Sequence, residues 1–496
     1  MSQEVIIWSV IGIYVLFMLV IGVTNTKSTK KLSDFTLGGR SAGAWVSALS
    51  YGTAYFSAVM FIGYSGGSGW NYGLWSIFAG IGNAVIGSLL AWLVLARRTR
   101  EVTNRLKITT MPQLFETRYE STKMKTFSAA VIFIFLLPYS ASVYKGLSSV
   151  CSVLLGFDER ICMIVIAIAS AVVLVLGGYL ATLKADFVQG LVMMVGVTAL
   201  IISVVKSPTV GGLATGWENM TKYMSENMPM DGMSHLSLWA TVLMTSFGTW
   251  GLPQMIHKYY GIKDDKEVKR GTIISTFFAL LVAGGGYFIG SLSHLFFGNN
   301  MPVGGKDFII PNMLKMSNLP TILLGIVLVL LISASVSTLS SITLTACSTL
   351  TQDLIKARWK KNMSDGSTAT MTRILCLVFV VLSYFVANYP TPILEMMSYS
   401  WGIISGSFLA PYMLSLYSKK INRAGAWAGM IGGFLTAFVP VAVSGFKTPN
   451  GPIYACAAMA VSFILCIGVS YLARALKWKS AAENDKFYTK VVEENI

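Results

Sequence analysis

Residues 331–353, LISASVSTLSSITLTACSTLTQD, have the length of a membrane-crossing helix and yet carry eleven hydroxyl side chains. Helical spacing puts Ala334, Ser337, Thr338, Ser341 and Thr345 on one face, in the i, i+3, i+4, i+7 pattern. A row of neutral oxygens inside a membrane is what a small, hard cation needs to replace its hydration shell. The plainer alternative is that each hydroxyl bonds back to its own helix or lets a neighbour pack closely. At this density of hydroxyls the sequence favours an ion site.

Three other stretches carry residues of the same kind. Within residues 44–67, the run Tyr51-Gly52-Thr53-Ala54-Tyr55-Phe56-Ser57 mixes glycine, hydroxyls and aromatics at membrane depth. Such a run tolerates a broken helix whose freed carbonyls face a cavity, or else a close helix–helix contact. The run Thr245–Gln254, TSFGTWGLPQ, has glycines and a proline within ten residues and is a second candidate for a break. Thr249, Trp250 and Gln254 there, with Tyr139 and Ser142 of residues 126–154, are candidate solute contacts. Packing, a kink or small-residue contacts would account for each of them as well. Lys145 sits several turns inside an apolar segment, where an amine needs a carboxylate, carbonyls or water. It either meets a solute carboxylate, replaces the charge of a cation, or snorkels outward.

The elements that must hold these residues are membrane helices. Of 496 residues, 54% are hydrophobic and only 12% charged, where a soluble chain would carry about a quarter charged residues. At about 20 apolar residues per crossing, the sequence reads as an all-α polytopic protein of about thirteen spans. These run roughly 5–24, 44–67, 72–96, 126–154, 160–181, 186–205, 236–256, 272–296, 320–350, 372–388, 393–416, 424–444 and 452–474. The first has no preceding basic residue and reads as a retained span rather than a cleaved signal. Residues 97–125 suit an amphipathic surface helix, and 206–235 and 297–319 suit short lids on the opposite side. The six cysteines lie in or beside apolar stretches without metal-ligand spacing, and with three histidines there is no HExxH-type arrangement. No acid–base or nucleophile constellation stands at membrane depth, so an enzyme is not expected.

Basic residues collect in alternate loops. One set includes Lys27, Arg40, Arg97, Arg98, Arg100, Lys107, Lys258, Lys263, Lys356, Lys360, Lys419 and Lys420. The opposite loops hold scattered single charges such as Arg160, Lys206, Lys222, Lys306 and Lys447. The positive-inside rule then predicts an outside N-terminus and a cytoplasmic C-terminus in a cell membrane. The same asymmetry explains the net charge of +16, which is an orientation signal rather than a nucleic-acid footprint.

Several runs resemble the sodium/solute symporter family, which includes proline and pantothenate permeases and sodium–sugar symporters. They are Leu37-Gly38-Gly39-Arg40-Ser41 leading into Ser47-Ala48-Leu49-Ser50, and Gly177-Gly178-Tyr179-Leu180-Ala181 with Ala185-Asp186-Phe187. They continue with Ser337-Thr338-Leu339-Ser340, Thr351-Gln352-Asp353-Leu354, Ser398-Tyr399-Ser400-Trp401-Gly402 and Asn422-Arg423-Ala424-Gly425. The resemblance covers nearly the whole chain in the family's order. It implies a leucine-transporter-like core, an inverted repeat of five helices plus five, with solute and ion where the first helix of each repeat breaks. The expected divisions are 1–43 (first helix and linker), 44–205 and 236–417 (the two repeats) and 418–496 (two further helices and a tail). Carried over position by position, the family's sodium site falls on the carbonyls of Thr53, Phe56 and Ala334 and the hydroxyls of Ser337 and Thr338. Asp186 takes the acidic position on the sodium exit path, and a carboxylate near a helix N-terminus is also favoured by the dipole. Tyr55 and Ser57 join the solute candidates. Tyr55 stands where proline permeases carry aspartate, whereas pantothenate permeases carry tyrosine at that place.

The expected function is sodium-coupled symport of a small organic solute by alternating access, with sodium as a transported ion rather than a prosthetic group. An amino acid or organic carboxylate is favoured through Lys145. The nearer rival is a proton-coupled or sodium-independent transporter of the same fold. The rival from another class is a membrane solute sensor, disfavoured because little chain follows the last span.

Overall fold

The computed structural model describes residues 3–25, 40–317, 319–360, 362–478 and 487–488, without the side chains of residues 3, 4, 18, 19, 21–25, 169–181 and 358. The loop positions Lys27 and Leu37-Gly38-Gly39 therefore lie outside the described residues, as do the side chains of the Gly177–Ala181 motif. Among the described residues the structure is all-helical, with no strand. Among the described residues, eight helices are long and apolar enough to cross a membrane. The thirteen predicted spans exceed that number partly because two of them break near their middles, and the second half of the first runs on into the next span as Val59–Arg105. The protein is a multi-pass membrane protein.

The first helix, α1 (Gln3–Asn25), packs on the outside of the core. The second, α2 (Ala44–Tyr55), stops at Phe56, whose extended backbone (φ −106°, ψ 102°) ends the α-helical hydrogen bonding. Helix resumes as a π-helical turn, Val59–Tyr64, and continues as α3 (Ser65–Tyr72). The Ser57 hydroxyl accepts the Val59 N–H at 3.2 Å and so caps the second half. Downstream come α4 (Thr122–Leu155) and α5 (Glu159–Val205). The predicted segments 160–181 and 186–205 are thus one helical stretch of 47 residues, far more than the roughly 20 of one crossing. No proline lies between them, and the junction around Lys184 keeps its helical backbone.

The lid regions are short helices, α6 (Leu213–Asn227) and, later, Ile309–Met316. The second break lies between α7 (Gly232–Phe247) and α8 (Pro253–Tyr260), where a 3-10 turn, Gly248–Trp250, and Gly251-Leu252 replace the α-helix. Proline at the start of α8 is where its missing N–H costs nothing. Helix α9 (Asp265–Ala279) follows, then α10 (Thr321–Thr349), which bears the hydroxyl face and continues π-helically to Trp359. The last helices are α11 (Asp365–Ala387), α12 (Ile393–Tyr417), α13 (Arg423–Val443) and α14 (Gly451–Ala475).

The basic ends of the two broken helices are tied together. The Ala42 N–H donates to the Gly261 carbonyl at 3.0 Å, and the Lys263 N–H donates to the Ala42 carbonyl at 3.1 Å. Glu267 accepts the Ala44 N–H at 2.6 Å, and Arg40 reaches the Ile108 carbonyl at 2.8 Å. The opposite end holds a cavity of about 270 Å³ lined by Gly67, Asn71, Lys306, Asp307, Glu395 and Pro452, among others. Backbones meet without side chains between α3 and the helix Gly285–Ser291: a Cβ on Gly69 would stand 1.9 Å from the Gly290 carbonyl oxygen.

Candidate functional site

A helix leaves its last carbonyls without intrahelical partners, and α2 ends within two residues of Thr53. The Thr53 carbonyl turns to α10, where the Thr338 hydroxyl lies 3.0 Å from it and also 3.0 Å from the Ala334 carbonyl. A hydroxyl has one hydrogen. That hydrogen is shared between the two carbonyls or given to either, and the three oxygens stand close enough together to face one small cation. Three of the five sequence-derived ion ligands therefore converge. The Phe56 carbonyl stands at the break itself. Ser337, the neighbour of Thr338 along α10, directs its hydrogen to Asp186 Oδ1 at 2.6 Å, which leaves its lone pairs free for a cation.

Asp186 is fully buried and its carboxylate accepts from three donors. Besides Ser337, Oδ2 accepts the Ser50 hydroxyl at 2.5 Å and the Lys258 ammonium at 3.0 Å. Lys258 Nζ also donates to Ser341 Oγ at 2.9 Å. Lys258 is only 3% exposed and Asp186 0%. A buried pair like this survives only when its remaining hydrogen-bonding capacity is met, and here α2, α5, α8 and α10 each supply a group. Sequence reasoning missed Lys258. It counts there among loop charges because Lys263 and Lys266 follow it closely, whereas the chain buries it at the end of the second broken helix.

The solute candidates divide in two. Tyr55 ties the two breaks together, donating to the Thr245 carbonyl at 2.6 Å. Its ring lies 6.1 Å from that of Trp401, which is 5.7 Å from Tyr139 in an edge-on arrangement. Trp401 also lies against Gly248, where a Cβ would approach its ring to 3.0 Å. Tyr139 Oη and Trp401 Nε1 are buried without hydrogen-bond partners, as are both side-chain amide atoms of Gln254. Buried polar atoms without partners are uncommon, and Tyr139 and Trp401 flank the break. The remaining candidates are engaged elsewhere: Ser142 on the Tyr139 carbonyl, Thr249 on Ser246 and Trp250 on the Ile86 carbonyl. Trp401 is absent from the sequence-derived set, although it stands in one of the motifs quoted above.

Lys145 lies apart from this pocket. Its Nζ donates to the carbonyls of Tyr389 (3.1 Å) and Thr391 (2.9 Å), in the turn between α11 and α12. Of the partners an intramembrane amine needs, it has a carbonyl cluster. Glu395, in the next turn of chain, accepts from Tyr399 at 3.2 Å.

The pattern of the sodium:solute symporter family (SSF) matches residues 35–433. The osmoregulated proline transporter OpuE of Bacillus subtilis is 29% identical over 448 residues, 88% of this chain and 89% of that protein. The sodium/proline symporter of Escherichia coli is 27% identical over 438 residues, 86% of each. Among solved structures, a substrate-bound, outward-open Na+-coupled sialic acid symporter superposes with a TM-score of 0.76. It is 18% identical, with 94% of this chain and 98% of that one covered. MhsT in complex with L-phenylalanine gives a TM-score of 0.53 at 12% identity, covering 87% and 99%.

Proposed function

The chain belongs to the sodium:solute symporter family, and on that footing we propose that it carries a small amino acid or organic carboxylate inward with sodium, by alternating access. It is a membrane transporter rather than an enzyme, and its family couples solute movement to sodium. The observation that carries the finer reading is the approach of Thr338 Oγ1 to the Thr53 and Ala334 carbonyls at 3.0 Å.

In this reading residues 44–205 and 236–417 are the two inverted five-helix repeats, 1–43 and 418–496 flank them, and the C-terminus is cytoplasmic. Sodium binds Thr53, Phe56, Ala334, Ser337 and Thr338. It replaces a hydroxyl–carbonyl bond by an ion-centred cluster and holds α2 against α10. The solute enters from the side of the outer cavity and lies against Tyr55, Ser57, Tyr139 and Trp401, with Gln254 near the second break. Tyr139 Oη and Trp401 Nε1 provide donors for its carboxylate, and the broken helix directs its N-terminal amides toward the same place. The aromatic walls suit a compact solute with an apolar body. Proline, the solute named for the relatives above, is the first probe. When the basic ends of α2 and α8 part, sodium passes Ser337 to Asp186 and leaves.

One observation favours sodium-independent uptake as a second reading: a lysine ammonium already stands beside Asp186. Uptake of labelled proline and of a panel of amino acids and carboxylates into proteoliposomes, with sodium or choline outside, separates the two. Sodium-dependent uptake of at least one member is expected. Uptake unchanged in choline refutes the sodium reading.

A further inference from the structure

We infer that Lys258 is the resident cation of a second oxygen cluster, so that the chain binds one sodium ion where its oxygens would otherwise accommodate two. The inference rests on the sodium reading above and specifies its stoichiometry.

The cluster lies directly beside the proposed ion site. Ser337 and Ser341 are one helical turn apart on α10, on the face that carries Ala334 and Thr338. Around them stand the Asp186 carboxylate and the Ser50 hydroxyl, so four side chains from three helices bring oxygen to one buried spot. A carboxylate with hydroxyls about it is the donor set of a hard-cation site. Its charge, unlike the neutral carbonyls above, requires a cation whenever water is excluded. Lys258 Nζ meets that requirement, 3.0 Å from Asp186 Oδ2 and 2.9 Å from Ser341 Oγ. An ammonium tethered to α8 is present at a fixed, high local concentration, and a mobile sodium ion must compete with it for the same oxygens.

The alternative is that Lys258 and Asp186 form a purely structural pair. A structural pair would use the same hydroxyls to satisfy its remaining hydrogen-bonding capacity, so the two readings part on ion binding. The structural one makes no prediction about how many ions bind.

The test is equilibrium binding of radioactive sodium to the purified, full-length chain at fixed pH and ionic strength. Wild type and Lys258→Arg are expected to bind one sodium ion per chain. Lys258→Met is expected to bind two, and Lys258→Met combined with Asp186→Asn, which removes both charges together, to return to one. Two ions on the wild type, or one ion on a monodisperse Lys258→Met, overturn the inference. The wild-type count tests it even should Lys258→Met not fold. No sodium bound to the wild type is a different failure: it refutes the site between Thr53 and Thr338 and with it the sodium reading itself.

Discussion

Replacing Thr338 with valine keeps the branched shape of the side chain and exchanges one oxygen for a methyl group. That oxygen stands 3.0 Å from two carbonyls, so the exchange removes a ligand from the proposed sodium site and a partner from Thr53. Losing an interaction with a charged species costs on the order of 1–3 kcal/mol. With about 1.4 kcal/mol per factor of ten, apparent sodium affinity should fall between about 5- and 150-fold. The loss of the neutral hydrogen bond lowers stability by about 1 kcal/mol, small enough for the protein to remain folded. The assay is the initial rate of uptake into proteoliposomes across a sodium titration at saturating solute, with direct sodium binding on the same preparation. Solute affinity at saturating sodium should change little, because the aromatic pocket is untouched. Sodium affinity of Thr338→Val equal to that of wild type would refute the placement of the ion on α10.

Further outcomes follow from the same geometry. The alternating basic loops predict that cysteines at Arg98 and Lys360 are shielded from an impermeant reagent in intact cells while those at Lys222 and Lys306 react; labelling at 360 but not at 306 reverses the orientation. Lys145→Met frees two backbone carbonyls and should lower stability by roughly 1–3 kcal/mol with sodium binding unchanged; separately measured solute binding then shows whether this lysine also meets the solute, because loss of solute binding alone assigns it there. Asp307, which accepts the Ile393 N–H, has its pKa raised to about 6, chiefly by burial. A carboxyl raised above its unfolded value destabilises the fold while charged, so lowering the pH from 7.5 to 5 should stabilise wild type relative to Asp307→Asn; parallel melting temperatures across that range would contradict the assignment.

The helical architecture was legible because apolar runs of bilayer length announce themselves, and the two breaks because glycine, hydroxyl and proline residues interrupt them. The hydroxyl face of α10 was legible as well, since eleven hydroxyls in one apolar segment are far more than helix packing alone calls for. What periodicity cannot supply is the partner of a charge. Lys258 and Asp186 are 72 positions apart, and only the folding of α8 against α5 brings them together. A lysine at a helix end followed by more lysines is indistinguishable, by sequence, from an orientation signal. The junction between residues 181 and 186 keeps a helical backbone, so two crossings' worth of apolar length run as one helical stretch, which length alone does not reveal. Trp401 stands in a recognised motif, yet its role depends on which face of α12 meets Tyr139.

The glycine contact between α3 and Gly285–Ser291 has a mechanical consequence. With Gly69 and Gly290 so close that one methyl group would collide with backbone, these helices share a seam that resists shear, since neither has side chains to rearrange. Travel in the proposed cycle is therefore concentrated at the α2–α10 boundary, where the Thr338–Thr53 contact is a hydrogen bond. Two backbones in direct contact have nothing to exchange, whereas a hydroxyl can trade its carbonyl for an ion or a water molecule at small cost. The protein thus pairs a stiff weld with a wet bearing. Adding a methyl group at position 69 should loosen the weld and slow turnover without altering how tightly sodium is held, a separation that turnover and binding measurements on Gly69→Ala would display.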